Sequence, residues 1–196
     1  MKRLFQLSLF LIFGLQLNAQ NADIELLRTF NLSRNQKLDP TFTFITKSAS
    51  PVSMACPTIV YGIGLIKRDS TIRRKGLYIA GSMAVNTVFT LGLKYSINRP
   101  RPFITYPDIE KLSEGGSPSF PSGHTSNAFA TATSLTIAYP KWYVAAPSFI
   151  WASSVGYSRM HLGVHYPSDV FVGAALGAGS AWLSHWLTKK IFHYNI

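Results

Sequence analysis

Cysteine, acidic residues and charge in general are scarce in this chain. Its one cysteine, Cys56, rules out an intramolecular disulfide. Set in an apolar run, it reads as a packing residue rather than a reactive one. Only 14% of the 196 residues are charged, while 47% are hydrophobic. An average soluble domain carries about 25% charge. Eight acidic residues face 19 basic ones, for a formal net charge of +11. Beyond Glu114 the only acidic residue is Asp169. No nucleic-acid-binding motif accompanies the positive charge. The basic residues sit at the ends of apolar runs, so the expected partners are a membrane and an anionic, phosphate-bearing substrate, not nucleic acid.

What the chain has in quantity is apolar runs. Residues 1–19 open with Lys2 and Arg3, run apolar from Leu4 to Leu17 and end Leu-Asn-Ala before Gln20. That is the layout of a signal peptide or an N-terminal anchor, ahead of one domain over 20–196. Residues 21–40 place Ile24, Leu26, Leu27 and Phe30 on a helical stripe, which predicts a short amphipathic helix lying at the membrane interface. Further runs cover 41–66, interrupted by Pro51 and Pro57, then 76–97, 125–139, 143–157 and 169–187. Some of these are short for the roughly 30 Å hydrocarbon core. Ala174, Ala175, Gly177, Ala178, Gly179 and Ser180 would let helices approach closely. The expected fold is all-α, an integral membrane bundle of five to six spanning helices.

Starting outside at residue 20 and crossing once per run sorts the charges. Lys67 to Lys75, Lys141, and Lys189 with Lys190 all fall inside, the positive-inside pattern. The same count brings residues 94–124 and 158–169 together on the outside. The localisation expected is the inner membrane, multi-pass, with that face toward the periplasm.

Three polar stretches share that side. Residues 158–169 hold Arg159, His161, His165 and Asp169 in twelve positions. Asp169 lies four residues beyond His165, near a helix start at Pro167, so its carboxylate can reach the imidazole. One nitrogen is then fixed and the other is free to attack or to accept a proton. Arg159 supplies a fork of donors fitted to phosphate. A surface loop with an incidental ion pair, or a metal site using His161, His165 and Asp169, would fit the same twelve residues. Residues 117–124, Ser-Pro-Ser-Phe-Pro-Ser-Gly-His, precede an apolar helix. Ser122 offers a hydroxyl, Gly123 allows close backbone approach, and His124 is a candidate proton donor. Residues 94–102 place Lys94, Arg99 and Arg101 at a helix end, where interfacial snorkelling is the ordinary role.

Taken together these stretches resemble the signature of the type 2 phosphatidic acid phosphatase superfamily. Lys94, Arg101 and Pro102 match its first motif, with Arg99-Pro100 out of register. Pro121, Ser122, Gly123 and His124 match the second. Ser158, Arg159, His165 and Asp169 match the third, and His161 falls outside it. The resemblance implies a lipid phosphatase in which His165 forms a phosphohistidine, oriented by Asp169. His124 would protonate the leaving oxygen and then activate water. Lys94, Arg101, Ser122, Gly123 and Arg159 would hold the phosphate. No metal or other cofactor is implied. The substrates expected are an isoprenoid diphosphate, phosphatidate, phosphatidylglycerophosphate or a lipid A headgroup. A soluble secreted acid phosphatase and a non-catalytic lipid-phosphate carrier are the alternatives.

Overall fold

The computed structural model describes residues 21–192, so the N-terminal segment over 1–19 lies outside the described residues. No strand occurs among them. Helix α1 covers 21–31, and α2 is Asp39–Ile66 after a single 3₁₀ turn. α3 is Ser70–Ile97, α4 the one-turn Pro102–Thr105, and α5 Gly123–Ala138. α6 is Trp142–His161 and α7 is Pro167–Phe192. α5 stands in the middle, packed against α2, α3, α6 and α7.

Local signals set the helix ends. Pro40 and Pro167 open α2 and α7, where a missing N–H costs nothing. Asp69 caps α3 by accepting from the Thr71 and Ile72 amides. Asn98 ends α3 in the left-handed conformation, a turn that asparagine tolerates. Pro51 and Pro57 do not break α2, contrary to the interruption the sequence suggests. Proline is tolerated within helices that lie in an apolar surround, where packing against neighbouring helices holds the segment together.

The polarity of the bundle is reversed relative to a soluble protein. Thr46, Ser53, Ser82, Asn86 and Thr90 are buried between helices. Phe44, Met54, Ile59, Val88 and Phe171 point outward. Large apolar faces of this kind need an apolar solvent. Among the described residues, three helices are long and apolar enough to cross a membrane: 36–66, 70–105 and 167–191. The sequence suggested five to six. α5 and α6 complete the bundle with 16 and 20 residues. α5 is short and hydroxyl-rich because nearly all of its Ala, Ser and Thr side chains face protein rather than lipid.

The amphipathic stripe of α1 has another use than the one expected. Ile24 and Leu27 are buried against Ile109 and Tyr166, so α1 covers the end of the bundle. Asn31 locks it there, donating to the Glu110 and His161 carbonyls and accepting from the Glu110 amide.

Small residues bring α7 onto α5. A Cβ added at Gly177 would lie 2.2 Å from the Ser126 carbonyl oxygen, and one at Gly173 would lie 2.8 Å from that of Ser122. A Cβ at Gly179 would meet nothing within 4 Å. Gly177→Val should therefore lower the thermal midpoint in detergent, by about 1–3 kcal/mol of overpacking cost. It should also reduce activity, because α5 carries the loop between it and α4. Gly179→Ala should leave both unchanged.

Candidate active site

The site forms where α3, α5, α6 and α7 end on the side covered by α1. Lys94, Gly123, His124, Arg159 and His165 line one cavity of about 240 Å³, with Arg101 reaching in from the start of α4. Lys94 and His165, distant in the chain, therefore meet at one anion-sized hollow, as the motif spacing predicts.

Asp169 occupies the third position of α7 and accepts the Tyr166 amide at 3.0 Å, the reach-back of a capping box. This pins the buried carboxylate beside the imidazole of His165, Nδ1 to Oδ2 3.3 Å. Nε2 of His165 lies 3.2 Å from Nη1 of Arg101. A guanidinium has only donors, so Nε2 must be the acceptor and Nδ1 must carry the proton. The tautomer follows from the two partners. Burial pushes the imidazole down to about 3, against the opposing pull of Asp169. At neutral pH His165 is thus uncharged, with its Nε2 lone pair toward the cavity.

The cations are held by neutral oxygens, backbone carbonyls and hydroxyls, which leave their charge uncompensated. Arg101 donates to the Val164 and Ser117 carbonyls at 2.7 and 2.8 Å. Lys94 donates to the Pro118 carbonyl. Arg159 donates to the Thr46 hydroxyl at 2.6 Å and to the Glu114 carbonyl at 3.1 Å. Glu114 is the single carboxylate on the cavity wall. Three cations around one small hollow suit an anionic group such as a phosphoryl. A side chain at Gly115 would sit 2.8 Å from Nη1 of Arg101, so the loop passes this close only as glycine.

Ser122 does not line this cavity, although the motif places it among the phosphate ligands. Its hydroxyl pairs with Thr125 at 2.8 Å, and its amide donates to the Asp169 carbonyl. His161 lies elsewhere too. Its Nε2 is 2.7 Å from Asp39, and its ring packs on Phe42. The four-residue repeat through 161, 165 and 169 fails as a ligand row because α6 ends at His161. Gly163 then turns the chain at φ +70°, where an added Cβ would strike the Glu110 carbonyl at 2.2 Å. No cluster of three or more His, Cys, Asp or Glu suited to a metal occurs among the described residues.

Three side chains absent from the motif turn out to hold it in place. Arg99, out of register in sequence, donates to Oδ1 of Asp169 at 2.8 Å and to Asp23 of α1 at 2.8 Å. It also stacks on Tyr166, 3.7 Å from the ring centroid. Ser119 donates to Oδ2 of Asp169. Asp23 in turn accepts from the Ser168 amide. No spacing in the sequence marks these residues, since each is defined by a partner at least fifty positions away.

A family model described as the PAP2 superfamily matches residues 75–193. A crystal structure of Aquifex aeolicus LpxE is similar at 32% identity over 83% of this chain and 94% of that one, with a TM-score of 0.71. A transmembrane PAP2 type phosphatidylglycerolphosphate phosphatase from Bacillus subtilis is similar at 29% identity, over 94% of this chain and 96% of that one, with a TM-score of 0.75. A lipid A 4'-phosphatase of Bacteroides thetaiotaomicron is 35% identical over 39% of this chain. That match spans only 34% of the relative's length.

Proposed function

The chain belongs to the PAP2 superfamily, and from that premise we propose that it is an integral membrane lipid phosphatase acting through a phosphohistidine. The observation that carries this reading is the shared cavity: two imidazoles and three cations around a hollow of about 240 Å³, with a carboxylate behind one imidazole.

In this mechanism Nε2 of His165 attacks phosphorus while Asp169 stabilises the positive charge that develops on the ring. His124 gives a proton to the departing oxygen. It then takes one from the water that cleaves the nitrogen–phosphorus bond. Lys94, Arg101 and Arg159 offset the charge on the equatorial oxygens, and the Gly123 backbone admits the phosphate close to the start of α5. Ser122 contributes by tying that helix start to α7. The charge is neutralised by side chains alone, so no metal is needed.

The substrate class is a lipid carrying a terminal phosphate: an isoprenoid diphosphate, phosphatidate, phosphatidylglycerophosphate or lipid A. The outward apolar faces favour a multi-pass membrane enzyme over a secreted soluble phosphatase. Lys75 over Tyr139 unites the basic residues of 67–75, in the α2–α3 turn and the start of α3, with the 139–141 loop at the end away from the site. Exposed Trp142 and Tyr143 belong to the same end and suit an interfacial belt. The basic end is then cytoplasmic, the site is periplasmic, and the membrane is the inner one. Residues 1–19 act as signal peptide or anchor for the domain over 20–196.

Purified protein in detergent should release phosphate from a panel of these lipids in the presence of excess chelator. Turnover that vanishes with chelator and returns with a divalent cation would refute the metal-free mechanism. Binding of the lipids without any release of phosphate would favour a carrier.

A further inference from the structure

A second chamber of about 390 Å³ adjoins the catalytic cavity. His124 and Arg159 line both spaces, whereas His165 lines only the smaller one. The nucleophile therefore faces one hollow, and the general acid stands at the junction of two. In an in-line displacement the departing oxygen leaves on the side opposite the attacking nitrogen, toward the group that protonates it. The second chamber is thus the space into which a leaving group would move.

Its walls are basic. Lys47 of α2 and Lys111 of the loop before α5 line it, with Thr43, Thr46 and Ser113 as neutral polar groups. Neither lysine is paired with a carboxylate among the described residues. Lys111 rests over the Phe103 ring at 4.6 Å, which leaves its ammonium protons available. Arg159 is 2% exposed, and its Nε, buried with it, has no hydrogen-bond partner. Glu114 is the one carboxylate on the wall, so three cations face a single negative charge. A neutral alcohol as leaving group would find no use for that excess, and an anion would.

We infer that this chamber holds a second phosphate, the one that departs with the lipid, so that the preferred substrate is a lipid diphosphate rather than a monophosphate. The inference rests on the lipid phosphatase mechanism above and narrows its substrate class. The bond from Nε2 of His165 to the terminal phosphorus forms as the bridging phosphorus–oxygen bond breaks. The bridging oxygen takes the His124 proton and leaves as a lipid monophosphate held by Lys47 and Lys111. Water then attacks the phosphohistidine, gives its proton to His124, and releases inorganic phosphate.

The test compares an isoprenoid diphosphate with the monophosphate of the same chain, assayed with wild type, Lys47→Met, Lys111→Met and the double variant in one detergent. Wild type should favour the diphosphate in kcat/KM. In the double variant that preference should fall about tenfold or more, the usual worth of lost charge-assisted contacts. Melting temperature measured in parallel verifies that the variants fold, and either single variant serves if the double does not. An equal loss on both substrates would mean that the lysines serve membrane or headgroup attraction, and would overturn the inference. An unchanged ratio would overturn it as well. Failure of wild type on both isoprenoid lipids, with phosphate still released from phosphatidate, phosphatidylglycerophosphate or lipid A, would overturn this inference and leave the phosphatase reading standing; failure on that whole panel would remove both.

Discussion

His165→Ala should abolish turnover, by at least about 10⁴-fold in kcat, because it removes the covalent route rather than one contact. The size follows from three features of the site. The imidazole is buried, so water does not replace its nucleophile without rearranging the loop around it. Its Nε2 is poised by Arg101 at 3.2 Å, and its charge is suppressed at neutral pH by burial. The remaining cations would still bind phosphate, so KM should change far less than kcat. Rapid-quench trapping with labelled substrate provides the matching readout. Wild type should yield an acid-labile phosphoenzyme and the variant none. A variant that turned over at the wild-type rate would reassign the nucleophile, with His124 the first candidate.

Asp169→Asn should be nearly as severe, with a loss of about 10³- to 10⁴-fold, the scale seen when a catalytic histidine loses the carboxylate that fixes its tautomer. Asp169 accepts from four directions: His165, the Tyr166 amide, Ser119 and Arg99. An amide has only one acceptor oxygen, and its NH₂ would confront donors. Either the His165 ring would flip its proton to Nε2, which ends nucleophilicity, or Arg99 would face an amide donor in a buried place. A kcat measurement on protein whose melting profile matches wild type separates the catalytic loss from misfolding. Activity within tenfold of wild type would show that the carboxylate does not set the tautomer.

The helices and the positions of the motif residues were legible in the sequence for a simple physical reason. Apolar runs bounded by proline or basic residues declare spans, and the motif side chains sit at helix ends, where spacing along the chain is spacing in space. Lys94, Arg101, His124, Arg159, His165 and Asp169 all fall in that category. What stayed hidden was the segment between α3 and α5. Its course is fixed by contacts distant in sequence: Arg101 to the Ser117 and Val164 carbonyls, and Asn31 to both sides of Glu110. Arg99 was passed over for the same cause, since its worth depends on Asp23 and Asp169, which no local pattern connects to it. Ser122 is the opposite case. Its place in a motif said nothing about which way its hydroxyl turns, and Thr125, one helical turn on, captured it.

The ion network from Asp23 through Arg99 to Asp169 has a bearing on biosynthesis. Its first member is among the earliest described residues to leave the ribosome, and its last opens the final helix. A nascent chain that has delivered α2 to α6 holds Arg99 but not yet Asp169, so the network cannot close until α7 has been made and has joined α1 at the same end of the bundle.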